Sequence, residues 1–396
     1  MRLYAKLRLT FLLLVVDGYI NERECNVHNT IVDCSRLALT SIPRHLPTYV
    51  TSLDFSGNKI TAVRAFTFQD FQNVTELHLE INRIQSIDKM AFHGLHRLQQ
   101  LHLGVNSLTM LSSGVFDNLN YLEYLLIDNN KLKDYQADQI KELSTLLSLR
   151  TLSFDIYPNF QFPVQWSTFS DDLPRNPIDQ IFRSFDVLKE RNMTNVEIAY
   201  SRFSNKFNLD FNKMKYLWPI CLKRLTLHDL YITSIDLYAF EKFSVASKCL
   251  EYLEVSENII LGQGLTLFGY IQNFEKLKVL KLLDNTRNNR LKRSEPKNLN
   301  VILPRTLEEL YIENDIHDHL CNVIFNNSLN LRVLSLKDNP IKSCKGSFKG
   351  ALNVEYFDMS GWTCTQVSVN LLYGFPNLRT PLLGKGFKNT ANAGSF

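Results

Sequence analysis

Two histidines, His78 and His102, lie 24 positions apart in the similar settings E-L-H-L-E and Q-L-H-L-G. Imidazole titrates near neutral pH, so a neighbouring pair that becomes protonated at endosomal pH would attract an anion. Two ordinary polar surface residues are the alternative interpretation. The pair is therefore a candidate ligand-binding feature rather than a catalytic one.

Familiar catalytic and metal-binding motifs are missing from the sequence. It contains no glycine-rich phosphate loop, no H-E-x-x-H, no G-x-S-x-G and no cysteine set with metal spacing. The sequence therefore predicts a protein that is not an enzyme, with no catalytic residue, no metal site and no cofactor.

Tyrosines form a second set of candidate binding residues. The repeat described below directs them outward from a sheet, where exposed tyrosines suit contacts with protein or glycan, although strands are rich in tyrosine in any case. The outward strand positions carry both signs of charge, so nucleic acid is possible as a partner but unsupported. The candidates are Tyr124, Tyr200, Tyr252, Tyr311 and Tyr356.

Four cysteines suggest disulfides from their positions. Cys25 and Cys34 precede the first repeat, and a bond between them would close a cap over its apolar layer. Cys221 and Cys249 each stand one residue before the first Leu of adjacent repeats. Equivalent positions on stacked strands lie about 4.8 Å apart, which is within the reach of a disulfide.

The remaining three cysteines leave alternatives open. Cys321 and Cys344 occupy similar positions in adjacent repeats and could pair, but Cys344 could instead pair with Cys364. If it does not, Cys364 falls in an inward position and would serve as a small apolar residue. Unpaired core cysteines are the alternative for all the cysteines after the cap.

Sites of modification form a further set. An R-L-K-R run in an insertion could be cut by a furin-type protease or could simply be a solvated loop, and its basic residues are Arg290, Lys292 and Arg293. Three N-x-S/T sequons predict glycosylation at Asn73, Asn192 and Asn326.

A repeat of the form L-x-x-L-x-L-x-x-N-x-L positions all of these residues. Residues at its first, fourth and sixth positions point inward and the intervening ones outward. One repeat cannot bury its own apolar face, so successive repeats stack. The predicted fold is of the α/β repeat class, a curved leucine-rich-repeat solenoid with a concave parallel β-sheet and an irregular or short-helical convex side. The twelve repeats start at Val50, Val74, Leu98, Leu122, Leu149, Met193, Leu222, Leu250, Leu277, Leu307, Leu331 and Val354.

Two other positions of the repeat predict how it is held together. Phe66, Phe92 and Phe116 are expected to fill the core beneath the convex side. Asparagine at the ninth position is expected to turn the chain, because its amide can satisfy backbone groups that the turn would bury. These asparagines are Asn58, Asn82, Asn106, Asn130, Asn258, Asn285 and Asn339.

The composition is globular, with 45% apolar and 21% charged residues among 396, and the net charge of +4 is too small to identify a partner.

Basic residues before an apolar run of eight predict a secretory signal peptide. The predicted organisation is a signal peptide at 1–18, a disulfide-closed N-terminal cap at 19–49, about twelve repeats at 50–377 with insertions near 155–192 and 286–300, and a degenerate partial repeat and tail at 378–396.

A two-cysteine cap that runs into L-T-S-I-P, then 24-residue repeats with A-F motifs, then longer degenerate repeats, resembles a Toll-like receptor ectodomain. The resemblance implies pattern recognition in innate immunity, with a microbial or endogenous ligand or a protein partner on the solenoid surface and possible homo- or heterodimerisation. The signal peptide and the sequons predict a glycoprotein of the secretory pathway, extracellular or on the lumenal side of the cell surface or endosome.

The sequence departs from that family towards its end. The repeat fades after Val354, and no cysteine-rich C-terminal cap, transmembrane helix or signalling domain follows. The chain is therefore expected to be a truncated form with no membrane span. Extracellular adhesion or matrix leucine-rich-repeat proteins and soluble receptor decoys are the alternatives, although small leucine-rich proteoglycans usually carry a four-cysteine cap that is absent here.

Overall fold

Alternating apolar residues give this chain a series of short strands, which a computed structural model defines. It describes residues 25–132, 142–155, 182, 185–189, 191–199, 207–230, 232–260, 270–285, 299–315, 322–326, 328–339, 347–362 and 372–382. Several predicted features lie outside these residues, namely the signal peptide, Tyr200, Cys321, Cys344, Cys364 and the basic run Arg290, Lys292 and Arg293.

The described strands and helices are short. The strands are β1 (Asn26–His28), β2 (Ile31–Asp33), β3 (Ser52–Asp54), β4 (Ala62–Val63), β5 (Glu76–His78), β6 (Ser86–Ile87), β7 (Gln100–His102), β8 (Tyr124–Leu126), β9 (Thr151–Asp155), β10 (Asn192–Ala199), β11 (Phe207–Leu209), β12 (Cys221–His228), β13 (Ile232–Ile235), β14 (Tyr252–Ser256), β15 (Val279–Leu283), β16 (Leu299–Ile302), β17 (Glu309–Glu313), β18 (Asn322–Asn326), β19 (Val333–Ser335), β20 (Ser347–Lys349), β21 (Tyr356–Asp358) and β22 (Thr380–Leu382). The helices are α1 (Phe211–Met214) and α2 (Leu237–Ala246), with 3₁₀ turns at Glu142–Thr145 and Phe185–Leu188.

One sheet of fifteen described strands runs the length of the solenoid, in the order β1-β2-β3-β5-β7-β8-β9-β10-β12-β14-β15-β17-β19-β21-β22. The pair β1 and β2 is antiparallel, and every later pair in this sheet is parallel. Each of the twelve repeat starts leads into one strand, and β22 adds a further strand within 378–396. The curved leucine-rich-repeat solenoid predicted from the sequence is confirmed. None of the helices in the described part of the chain is long and apolar enough to cross a membrane.

The core is a continuous apolar layer behind this sheet. In the repeat that starts at Val74, the inward residues Val74, Leu77 and Leu79 are fully buried, and the same positions are buried along the solenoid. Each fully buried Leu or Val side chain stabilises the fold by about 1.5–3 kcal/mol relative to exposure. Because each layer covers its neighbour, the stability of one repeat depends on the next.

The ninth-position asparagines join each repeat to the one before it. The Asn106 Nδ2 group donates to the carbonyl oxygen of Leu103 in its own repeat, at 3.0 Å, and to that of Leu79 in the preceding one, at 2.9 Å. Its Oδ1 atom accepts from the Ile84 N–H at 3.0 Å. The side chain is only 7% exposed, so these bonds satisfy backbone groups that water does not reach.

Five of the twelve repeats lack the ninth-position asparagine, and three of these ninth positions lie in the part of the chain that the structure describes. Trp362 donates its indole N–H to the Leu336 carbonyl oxygen at 2.8 Å, as an asparagine would. Leu230 has no polar side chain to offer, and its backbone N–H donates to Asn258 Oδ1 of the next repeat at 3.0 Å, as the Asn258 N–H itself does to Asn285 Oδ1. Asp315 carries no amide donor, and it accepts from Asn285 Nδ2 at 3.3 Å.

The residue before the ninth position has left-handed backbone in most of the described repeats. The φ angle is +56° at Ile81 and +53° at Val105, where a branched side chain makes this conformation costly. Glycine relieves the strain at two positions, with φ of +68° at Gly57 and +82° at Gly361. The asparagine bonds therefore hold a turn that the local sequence does not favour by itself.

Phenylalanines stack beneath the convex side, but one predicted member is different. Phe92 lies between Phe68 and Phe116, with ring centroids 6.4 and 6.5 Å away and interplanar angles of 12° and 6°. The prediction for Phe66 was wrong, because its φ of +60° turns it outward, where it is 48% exposed against His93. Phe68, two residues later, fills the core instead.

The longer central repeats accommodate a helix on the convex side. Asp236 caps α2 by accepting from the Ala239 N–H at 2.7 Å, which satisfies one of the free N–H groups of the first turn. Phe240 and Phe243 pack on Phe274 of the next repeat, with centroids 5.9 Å apart.

Two predicted disulfides are present in the described residues. Cys25 and Cys34 are bonded within the N-terminal cap, with Cα atoms 4.4 Å apart. Cys221 and Cys249 are bonded across adjacent repeats, with Cα atoms 5.3 Å apart. The first bond follows from the antiparallel pairing of Asn26 with Asp33 and the second from the repeat register, and structural disulfides of this kind fit a protein of the secretory pathway.

We expect Asn106→Ala to destabilise the chain by about 2–4 kcal/mol, because it leaves buried carbonyl and N–H groups of two repeats without partners. Urea unfolding measures the loss, and hydrogen exchange should show faster exchange at the Ile84 N–H. Asn120→Ala, at an exposed asparagine of the same repeat, is the matched control. Equal stability of the two variants would contradict the role given to the ninth position.

We expect Asp315 to make stability depend on pH. Burial raises the pKa of Asp315 to about 6, whereas an unfolded Asp titrates near 3.9. The native chain therefore holds more protons between these values, and its stability falls as pH rises through them, by about 2–3 kcal/mol in total. Asp315→Asn should remove this loss and add a donor.

The variant Asp315→Asn is therefore predicted to be more stable than the natural chain at pH 7.5 and to lose most of that advantage at pH 4. Urea unfolding at the two pH values checks the prediction. An advantage that is the same at both pH values, or no advantage at pH 7.5, would show that the Asp315 carboxylate is not destabilising.

Candidate binding surface on the concave sheet

The concave surface consists of the third and fifth residues of each repeat. In β5 these are Glu76 and His78, which lie on either side of the buried Leu77, and in β7 they are Gln100 and His102 around Leu101. The parallel register places equivalent residues of adjacent repeats side by side. Side chains far apart in sequence therefore form two columns across the sheet.

The two candidate histidines come together at the N-terminal end of this surface. His78 and His102 are direct register partners on β5 and β7, and their ring centroids are 4.4 Å apart at 44°. Glu80 completes the group, with Oε1 at 3.4 Å from His78 Nδ1. Glu80 was not among the residues predicted from the sequence, because it lies just beyond the strand, although the H-x-E spacing is visible there.

The surroundings of the histidine pair are acidic. The hydrogen bond to Glu80 raises the pKa of His78 above its usual value, while burial and the nearby His78 lower that of His102. Burial opposes ionisation of Glu80, but the bond from His78 brings its pKa below the usual value. Asp54 and Glu76 add negative charge near His78. These charges favour a cation over the anion expected from the sequence.

A row of cations and tyrosines crosses the centre of the sheet. The Arg224 guanidinium lies 3.5 Å from the centroid of the Tyr252 ring. Lys281 Nζ lies between two rings, 5.5 Å from Tyr252 and 4.9 Å from Tyr311. The four side chains come from β12, β14, β15 and β17, so cation–π contacts connect four consecutive repeats. We call Arg224, Tyr252, Lys281 and Tyr311 the central row.

Carboxylates fix the tyrosines of the central row. The Tyr252 hydroxyl donates to Glu254, and the Tyr311 hydroxyl donates to Glu309 at 2.9 Å. Burial and these bonds raise the pKa of both phenols, so they remain neutral donors at physiological pH. Tyr252 is only 8% exposed because Arg224 covers it, whereas Tyr311 is half-buried. Tyr311 is thus the tyrosine of the row that a partner can reach.

The other predicted residues are spread over the solenoid. Tyr124 on β8 is 38% exposed and lies one strand from the histidine pair. The sequon residues Asn73 and Asn326 are exposed, and Asn192 begins β10. The structure therefore brings His78 and His102 together, and Lys281 links Tyr252 with Tyr311. The sequons lie apart from both groups.

Comparison with known proteins shows similarity over a short part of the chain. Residues 48–108 match the family model of the leucine rich repeat. Biglycan of Xenopus laevis is 44% identical over 50 residues, which is 13% of this chain and 14% of biglycan. Decorin of Coturnix japonica is 36% identical over 62 residues, 15% of this chain and 17% of decorin. The chain is thus a leucine-rich-repeat solenoid that resembles these two proteins over less than a fifth of their length.

Proposed function

We propose that the chain is an extracellular ligand-binding protein that captures a protein partner on its concave sheet. The observation that carries the proposal is the central row, in which four repeats supply alternating cations and aromatic rings to one surface. Arginine and tyrosine dominate the energetics of protein interfaces. A curved solenoid presents such a row over an extended concave area.

The fixed geometry of the row favours binding. Lys281 lies beside Glu254 in the register, and the Tyr311 hydroxyl is held by Glu309. Side chains that are already ordered lose little conformational entropy when a partner binds. The outward positions of the sheet carry both acidic and basic groups, which suits a polypeptide with both signs of charge better than a polyanion.

Two biological settings have an observation in their favour. The matches to biglycan and decorin, both extracellular matrix proteins, favour an adhesion or matrix protein. The two-cysteine cap that leads into L-T-S-I-P and the 24-residue repeats favour a Toll-like receptor ectodomain, or a soluble decoy of one, with pattern recognition in innate immunity. Secretion and glycosylation are part of both proposals, whereas dimerisation belongs to the receptor setting.

Binding to defined fractions separates the two settings. The purified chain is tested against immobilised matrix proteins and against microbial extracts, with its oligomeric state followed by light scattering. Constitutive binding to matrix proteins without a change of mass supports the matrix setting. Dimerisation that requires a microbial extract supports the receptor setting. Failure to bind any of these fractions would contradict the proposed function.

We expect Lys281→Ala and Tyr311→Ala each to weaken binding about ten- to hundredfold, measured with whichever fraction the natural chain binds, because each removes a member of the central row. Tyr238→Ala is the matched control, since Tyr238 is 57% exposed on α2 and lies on the convex side. It should change the affinity by less than about twofold. Equal effects of the concave and convex variants in a surface plasmon resonance titration would contradict the assignment of the surface.

A further inference from the structure

We propose that His78, Glu80 and His102 form a zinc-binding site on the concave sheet. Each side chain offers one ligand atom, and these atoms all lie within 4.8 Å of one another. Two imidazoles and one carboxylate are a ligand set that zinc uses in proteins. The proposal is independent of the central row, which lies several strands away.

The backbone already fixes the ligands close to the required geometry. His78 and His102 are register partners on parallel strands, so both side chains leave the same face of the sheet at neighbouring positions. Zinc bonds of about 2.0–2.2 Å place tetrahedral ligand atoms about 3.3 Å apart. His78 Nδ1 and Glu80 Oε1 are 3.4 Å apart without the ion. Small side-chain rotations therefore suffice to complete the set.

A second observation also points to a cation. The Oε2 atom of Glu80 is fully buried and has no hydrogen-bond partner. A buried carboxylate oxygen without a partner is rare in proteins and destabilising, since the charged group has lost its hydration. A divalent ion held by this carboxylate would compensate its charge.

The charge around the site also suits a cation. Asp54, Glu76 and Asp128 contribute negative charge to the two histidines.

The ligand chemistry favours zinc over the alkaline-earth ions. Calcium and magnesium bind oxygen ligands, whereas imidazole suits zinc and its first-row neighbours. Three protein ligands leave a fourth position for water or for a donor group from a partner. A zinc ion at this place could therefore join the concave sheet to a carboxylate or imidazole of a bound protein.

The test is a titration of the tag-free full chain with Zn²⁺, after chelator treatment and alkylation of free thiols so that cysteines do not compete. Isothermal calorimetry should show one saturable site. Loss of an outer-shell partner costs about 10–100-fold in metal affinity, and loss of a direct ligand should cost at least as much. We therefore expect His78→Gln and His102→Gln each to weaken binding at least tenfold, and Glu80→Gln to weaken it as well.

A second histidine pair provides the matched control. His93 and His96 also face each other, with ring centroids 6.1 Å apart, on the opposite side of the solenoid. The double variant His93→Gln with His96→Gln should bind Zn²⁺ as the natural chain does. The site is overturned if no saturable binding occurs, or if binding survives in the double variant His78→Gln with His102→Gln.

A measurement on the natural chain covers the case in which a variant does not fold. Anomalous scattering at the zinc absorption edge, from crystals soaked in Zn²⁺, should place the ion between the three side chains. An ion located elsewhere, or no ion, would overturn the proposal without any substitution.

Discussion

The hydrogen bonds that a ninth-position side chain makes to two repeats at once are the constraint on which the rest of the structure depends. Asn106 holds the carbonyl groups of Leu79 and Leu103 and the N–H of Ile84 in a place that water does not reach. These bonds fix the turn after each strand, including the left-handed residue that precedes the asparagine. The turn sets the spacing of the strands, and the spacing makes columns of the outward side chains. The histidine pair and the central row both exist because this register is kept.

The constraint concerns hydrogen-bonding groups more than residue type. Trp362 reaches the Leu336 carbonyl with an indole N–H, which replaces the amide donor in a different shape. Leu230 has an apolar side chain, which makes no hydrogen bond, and Asn258 of the next repeat accepts its backbone N–H. Asp315 keeps the position with an acceptor in place of a donor, and burial raises its pKa to about 6. A degenerate repeat therefore stacks in register even where its ninth side chain makes no hydrogen bond, because the asparagine of the next repeat still bonds to its backbone.

The sequence predicts the parts of the structure that follow from the period of the repeat. It predicts little about side chains whose direction depends on their rotamers or on backbone beyond the strands. The strand of each repeat, the inward residues and the bond between Cys221 and Cys249 follow from counting. Phe66 was misplaced because its left-handed backbone gives the core position to Phe68. Glu80 was missed because it lies just beyond β5, where the alternation of inward and outward residues no longer applies. The contact of Arg224 with Tyr252 depends on rotamers, which no periodicity determines.

The central claim is that partners bind to the concave sheet, and blocking each face with a glycan tests it most directly. Lys281→Asn with Leu283→Thr creates a sequon in the central row, and Lys242→Asn creates one on the convex helix, before Phe243 and Ser244. Glycan occupancy of each new sequon is verified by a mass shift that a glycosidase reverses. Binding is then measured with the fraction that the natural chain binds. The account predicts that the concave glycan abolishes binding and that the convex glycan leaves it unchanged. Binding that survives the concave glycan and is lost with the convex one would contradict it.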